Sequence, residues 1–266
     1  MTEIHENVLS NEEIQTLLGW FYQQDELVDD RLDVRSKAPA WQSEDWPKAL
    51  IKRVLDQILD EPYSVELTWF YSSRISLRLH VDSGDADGQQ PYKNIIIPLL
   101  VEGPASTVIF DNHWPGAHTR FGRVIPSPFA YALPDRSGNL RQIQDLRQLL
   151  EQCRTGTVQD FEVTDDFVQL LERLIQVRSG NLNRPPDGFV SDYSEIGNYQ
   201  PDTLFDSKTH AQYLAHVPIE NLHGLTVETV AHWRPGTAIT YDRNQLHCAG
   251  SGHRLKIGIT IFTYRS

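Results

Sequence analysis

Two histidines, one aspartate and a pair of basic residues carry the chemistry legible in this chain. His80 and Asp82 stand one residue apart in RLHVDSG, and in a strand that period puts both side chains on one face. The surrounding run, residues 74–82, predicts such a strand: apolar Ile75, Leu77, Leu79 and Val81 alternate with polar Ser76, Arg78, His80 and Asp82. Far downstream, His247 follows a turn at residues 242–244 and precedes a glycine-containing turn. A second alternating strand comes next, with Leu255, Ile257, Ile259 and Ile261 set against Arg254, Lys256, Gly258 and Thr260. Two imidazoles and one carboxylate on one side of a metal ion leave three positions open, which suits ferrous iron that activates oxygen.

The parts are weaker than the constellation. With ten histidines and 21 aspartates in 266 positions, chance alone supplies roughly 0.8 His-x-Asp triplets. The bland alternative is an edge strand with His80 and Asp82 in water. Position favours the ligand reading, because His80 ends its strand and Asp82 enters the Ser83-Gly84 turn, so both side chains can converge on one ion. His216, His223 and His232 compete with His247 for the third ligand, and each reads equally as an ordinary surface or core histidine. His113 and His118 fall in a loop just past a strand, within reach of a substrate or simply solvated.

Taken together, RLHVDSG and LHCAGSGHRLKIGITIF resemble the iron(II)- and 2-oxoglutarate-dependent dioxygenases, over roughly residues 65–112 and 233–263. The resemblance implies a mainly β fold with helical additions: a double-stranded β-helix (jelly-roll, cupin-like) barrel with N-terminal helices and a long insertion. It makes His80, Asp82 and His247 the metal ligands, with Fe(II), 2-oxoglutarate and O2 as cofactor and cosubstrates. 2-Oxoglutarate presents its keto-acid end to iron, and its far carboxylate then calls for a cation. Arg254, seven residues after His247, is the first choice because a guanidinium meets a carboxylate with two charge-assisted bonds. Lys256, on the same face, is the substitute. Asn94, opening the strand after the His-x-Asp loop, is a further cosubstrate contact, and Arg78 and His113 are candidates for holding substrate. The implied reaction decarboxylates 2-oxoglutarate to succinate while hydroxylating a small or medium-sized amino acid, peptide or natural product. A carboxylate at Asp82 leaves no ligand position for chloride, which argues against halogenation. Two rival readings are a cupin-type metal-dependent isomerase or hydrolase, which needs no cation at Arg254 or Lys256, and a noncatalytic ligand-binding barrel.

Composition narrows the partners. Acidic residues outnumber basic ones by 36 to 24, a net charge of -12 that repels a polyphosphate backbone, so nucleic acid is not the expected substrate. Cys153 and Cys248 lie too far apart to form a Cys-x-x-Cys pair, consistent with reduced thiols in a cytoplasmic protein. No stretch reaches the ~18 apolar residues of a membrane span, and MTEIHENVLS lacks a signal peptide's apolar core. The oligomeric state has no signature in the sequence.

A length of 266 residues suits one domain. Residues 1–62 predict two bracing helices. Ser10 with Glu13 forms a capping box ahead of Ile14, Leu17, Leu18 and Phe21, and Pro47 opens a second helix carrying Leu50, Ile51, Val54, Leu55 and Ile58. Residues 63–112 and 231–266 supply the barrel core, and the short loops of the first stretch suggest an antiparallel meander. Residues 113–230 form a partly helical insertion and lid. Its helical periodicity lies at Leu140, Ile143, Leu146 and Leu150, then after Thr164, and residues 179–202 read as a long loop.

Overall fold

The computed structural model describes residues 1–23, 35–39, 45–74, 76–83, 89–116, 119–122, 143–158, 189–190 and 192–266, with single positions between 163 and 175. Twelve strands among these form two six-stranded sheets. The first sheet runs β1 (Glu3–His5), β10 (Ala238–Asp242), β5 (Pro91–Glu102), β12 (Leu255–Arg265), β3 (Tyr63–Ser73), β2 (Arg35–Pro39). The second runs β8 (Phe189–Val190), β7 (Thr119–Phe121), β4 (His80–Val81), β11 (Gln245–Ala249), β6 (Ser106–His113), β9 (Val227–His232). Every pairing is antiparallel except β7 with β8.

Period-two alternation decides what each face touches. On β12, Ile257, Ile259 and Ile261 point outward into a core shared with α1 (Asn11–Gln23) and α2 (Asp45–Ile58). Leu17, Val54 and Leu55 are fully buried in that layer. The capping box at the start of α1 is present: the Ser10 amide donates to the Glu13 carboxylate at 2.8 Å, and the Glu13 amide to Ser10 Oγ at 3.2 Å. Between the sheets lie Tyr71, Ile96, Ile239 and Tyr241 from the first and Ile109, Ala231 and Trp233 from the second. The far face of the second sheet packs Leu79, Val81, Val108, Leu246 and Cys248 against Tyr193, Ile196, Leu214 and Leu222.

The strand pairing differs from the expected meander. β3 and β5 are not neighbours, because the C-terminal β12 inserts between them and pairs with both. β6 leaves the sheet of β5 altogether, crossing at Gly103, whose φ of 81° permits the turn. The expected strand over residues 74–82 shrinks to His80–Val81. Of its earlier part, Ile75 lies outside the described residues, and Ser76 is buried with its hydroxyl donating to the Gly250 carbonyl at 3.0 Å. The alternation nevertheless reports the burial of Leu79 and Val81 correctly.

Within residues 113–230, the periodicity near Leu146 corresponds to α3 (Ile143–Arg154), against which Leu171 and Ile175 pack. Leu140, Thr164, Phe167, Leu170 and Leu174 lie outside the described residues. Strands β7, β8 and most of β9 also come from this stretch, so it contributes to the second sheet itself. No helix among the described residues is long and apolar enough to cross a membrane.

His216, one of the rival ligands, is a core residue. It is 5% exposed, and its Nε2 stands 3.2 Å from the Leu77 carbonyl. Burial holds its pKa down to about 3. The folded chain therefore keeps His216 neutral while the unfolded chain protonates it below about 6.5. Stability is complete above that value and falls as acid is added toward pH 3, by up to about 1.4 kcal/mol per pH unit from this one group. Urea unfolding followed between pH 6.5 and 4 should show a shallower loss for His216→Gln than for wild type; parallel slopes would refute this.

Candidate metal centre

The two distant histidines meet because β4 and β11 are paired with His80 directly opposite His247. Opposed residues on neighbouring strands share a face at about 5 Å between Cβ atoms. Leu79 and Val81, like Leu246 and Cys248, point to the outer core, so both imidazoles turn inward. Their ring centroids are 4.2 Å apart. Asp82 follows immediately, and one donor atom from each of His80, Asp82 and His247 lies within 4.8 Å of the others.

Hydrogen bonding orients all three groups. His80 Nδ1 is 2.6 Å from the Arg78 carbonyl, and His247 Nδ1 is 3.0 Å from the Gln245 carbonyl. A carbonyl oxygen has no proton to give, so each Nδ1 carries the hydrogen and each Nε2 is left for another partner. What the Nε2 atoms face is a carboxylate: Asp82 Oδ2 at 3.1 Å from His247 and Oδ1 at 3.9 Å from His80. Such a contact calls for positive charge between the groups, supplied either by a proton on Nε2 or by a bound cation. The donor set fits a divalent cation held by two neutral imidazoles and a carboxylate, with each ring locked by a backbone carbonyl on its far nitrogen.

A small cleft, open to solvent at its mouth, lies between the sheets over this triad. Asn94 lines it, buried, donating from Nδ2 to Asp82 Oδ2 at 2.8 Å and to the Tyr241 hydroxyl at 2.7 Å, and accepting from Thr260 at 3.2 Å. Tyr241 sits 4.8 Å from the His247 ring, and its phenol is held well above the usual range by burial and then by the Asp82 charge, so it stays a neutral donor.

Among the described residues, Lys256 is the cation in the wall of the cleft. It is 4% exposed, and its ammonium lies 4.7 Å above the Trp233 ring. Trp233 is fixed in turn by a 3.0 Å hydrogen bond to Thr107 and by contact with Gly258, where a Cβ would stand 3.1 Å from the ring. Arg254, the first choice from sequence, is exposed and absent from the cleft. β12 begins only at Leu255, so the parity that unites Arg254 with Lys256 is broken by the preceding turn, where Gly252 has φ 106°.

Arg78 is half-buried and joins the centre through its backbone carbonyl, not as part of the cleft wall. His113 is likewise outside the cleft, at the end of β6, bonded through its backbone to Gly197. His118 lies outside the described residues. His223 and His232 take no part in the triad. Sequence reading missed Tyr241 and Trp233 in the cleft wall, and gave no role to Arg243, whose Nε donates to the Asp82 carbonyl at 2.8 Å. The first two are indistinguishable from core aromatics in a strand pattern, and Arg243 reads as a turn residue.

No family model matches the chain, and no curated protein matches it. Solved structures do resemble it at low identity. The non-heme alpha ketoglutarate dependent carbocyclase SnoK from nogalamycin biosynthesis is similar at a TM-score of 0.46 and 11% identity, covering 99% of this chain and 79% of that one. A viral collagen prolyl hydroxylase from Paramecium Bursaria Chlorella virus-1, solved as a 2OG complex, reaches 0.45 at 9% identity, covering 100% and 96%. HygX from Streptomyces hygroscopicus, solved with nickel and 2-oxoglutarate bound, reaches 0.43 at 10% identity, covering 100% and 83%.

Proposed function

We propose that this chain is a single-domain, non-haem Fe(II)- and 2-oxoglutarate-dependent oxygenase of jelly-roll type that hydroxylates a small or medium-sized molecule. The observation that carries the reading is the carboxylate of Asp82 set against two histidine Nε2 atoms whose opposite nitrogens are both committed as donors. His80, Asp82 and His247 would hold iron, which when bound supplies the redox chemistry coupling O2 and 2-oxoglutarate to oxidation of a substrate C–H bond. The products are succinate, carbon dioxide and the hydroxylated substrate.

The chain's own groups bind and orient. Lys256 would receive the far carboxylate of 2-oxoglutarate, Asn94 keeps the Asp82 carboxylate turned toward the histidines, and Tyr241 offers a neutral hydroxyl inside the cleft. Ile96, Phe262 and Trp233 give the cleft apolar walls. A cupin-type isomerase or hydrolase has no use for a buried cation at Lys256, which favours the oxygenase. A screen of amino acids, short peptides and natural-product scaffolds for Fe(II)-dependent succinate formation tests the proposal. Absence of succinate across the screen, together with no binding of 2-oxoglutarate, would reject it.

A further inference from the structure

We infer that Arg243 is a positioning residue for the metal centre, holding the backbone of the ligand Asp82 in place; this rests on the metal-binding reading above. Its side chain is 1% exposed, among the largest fully buried in the protein. Each nitrogen of the guanidinium is spent on a different segment. Nε donates to the Asp82 carbonyl at 2.8 Å, Nη1 to the Thr263 carbonyl at 3.2 Å, and Nη2 meets Glu66 Oε2 at 2.5 Å. The rings of Phe262 and Tyr264 lie 5.2 and 4.7 Å from its Cζ. The two backbones are joined as well, the Asp82 amide donating to the Arg243 carbonyl at 3.2 Å and the Arg243 amide to the Tyr92 carbonyl at 3.2 Å.

The arrangement ties a ligand that lies beyond the end of a two-residue strand to the longest strands of the other sheet. β4 stops at Val81, so the sheet ladder does not hold Asp82 itself. Arg243, in the turn after β10, ties the Asp82 carbonyl to β12 through Thr263 and to β3 through Glu66, and its place four residues before His247 couples the two ligand segments. A buried ion pair is weak as a stabilising device, since apolar packing of equal volume often does as well. A planar fork that fixes the carbonyl of a ligand is something apolar packing cannot replace.

Two variants separate positioning from stability. Arg243→Lys retains the charge toward Glu66 but loses the fork and the Nε bond to Asp82. Glu66→Gln removes the ion pair and leaves that bond intact. Metal-free protein titrated with Co(II), followed by calorimetry and by the visible ligand-field spectrum, should show the dissociation constant raised about tenfold or more in Arg243→Lys, with an altered spectrum. Glu66→Gln should melt at a lower temperature yet bind Co(II) within about threefold of wild type, since the ligand geometry is kept. Wild-type affinity and spectrum in Arg243→Lys would overturn the inference. So would a Glu66→Gln affinity falling in step with its melting temperature, and this arm decides the matter if Arg243→Lys does not fold. Failure of the wild-type protein itself to bind Co(II) would instead reject the metal centre.

Discussion

Anaerobic addition of Fe(II) and 2-oxoglutarate to the wild-type protein is expected to produce a weak visible charge-transfer band, and His247→Ala to abolish it. Both halves follow from the geometry. His247 is buried, sits opposite His80 across a strand pair, and directs Nε2 at Asp82 from 3.1 Å. Among the described residues no other histidine joins the donor group of His80, Asp82 and His247. Removing one of the three proposed ligands would take away most of a bound metal's contribution, and a loss of several kcal/mol corresponds to about a 10³-fold fall in succinate formation. The alanine leaves a small void next to Tyr241 without disturbing the outer core of Leu246 and Cys248, so the variant should still fold. A band that persists unchanged in His247→Ala would remove the basis of the proposed site.

Substitution of Lys256 is the second large effect expected. Lys256→Ala should raise the KM for 2-oxoglutarate by about 10²-fold or more, in line with the 2–5 kcal/mol typical of truncating one partner of a buried charge pair. Arg254→Ala should change it by no more than a few-fold, because an exposed cation contributes little. The contrast is informative because the two residues are two positions apart and identical in charge. One is 4% exposed, over the Trp233 ring and in the wall of the cleft; the other is exposed and outside it. Initial rates of succinate formation at varied 2-oxoglutarate, with iron saturating, measure both variants. Equal KM values for Lys256→Ala and wild type would place the cosubstrate's far carboxylate elsewhere.

Much of this chain could be read before any coordinates. The capping box at Ser10 and Glu13, the apolar faces of both N-terminal helices and the alternation along β12 are local patterns, fixed by the 3.6- and 2-residue periods of helix and strand. The same periods put His80 on the face opposite Leu79 and Val81. The triad was legible as a constellation, a His-x-Asp on one strand face with a distant histidine between two turns, since no member is distinctive alone.

Pairing and depth were not legible. Nothing local to β3 and β5 shows that a strand some 160 residues later separates them, since hydrogen bonding in a sheet is satisfied by any partner of suitable register. Periodicity likewise grouped Arg254 with Lys256, but whether a side chain reaches a cleft depends on where the strand begins and on the turn before it. Tyr241, Trp233 and Arg243 were invisible as site residues for the same reason. The sequence by itself determined which side chains could bind a metal and which face of each strand they occupy. The tertiary structure decided that His80 and His247 stand opposite one another, that Lys256 and not Arg254 enters the cleft, and that Arg243 grips Asp82. Each of these is a long-range contact, set by packing of the two sheets, and packing depends on the whole chain at once.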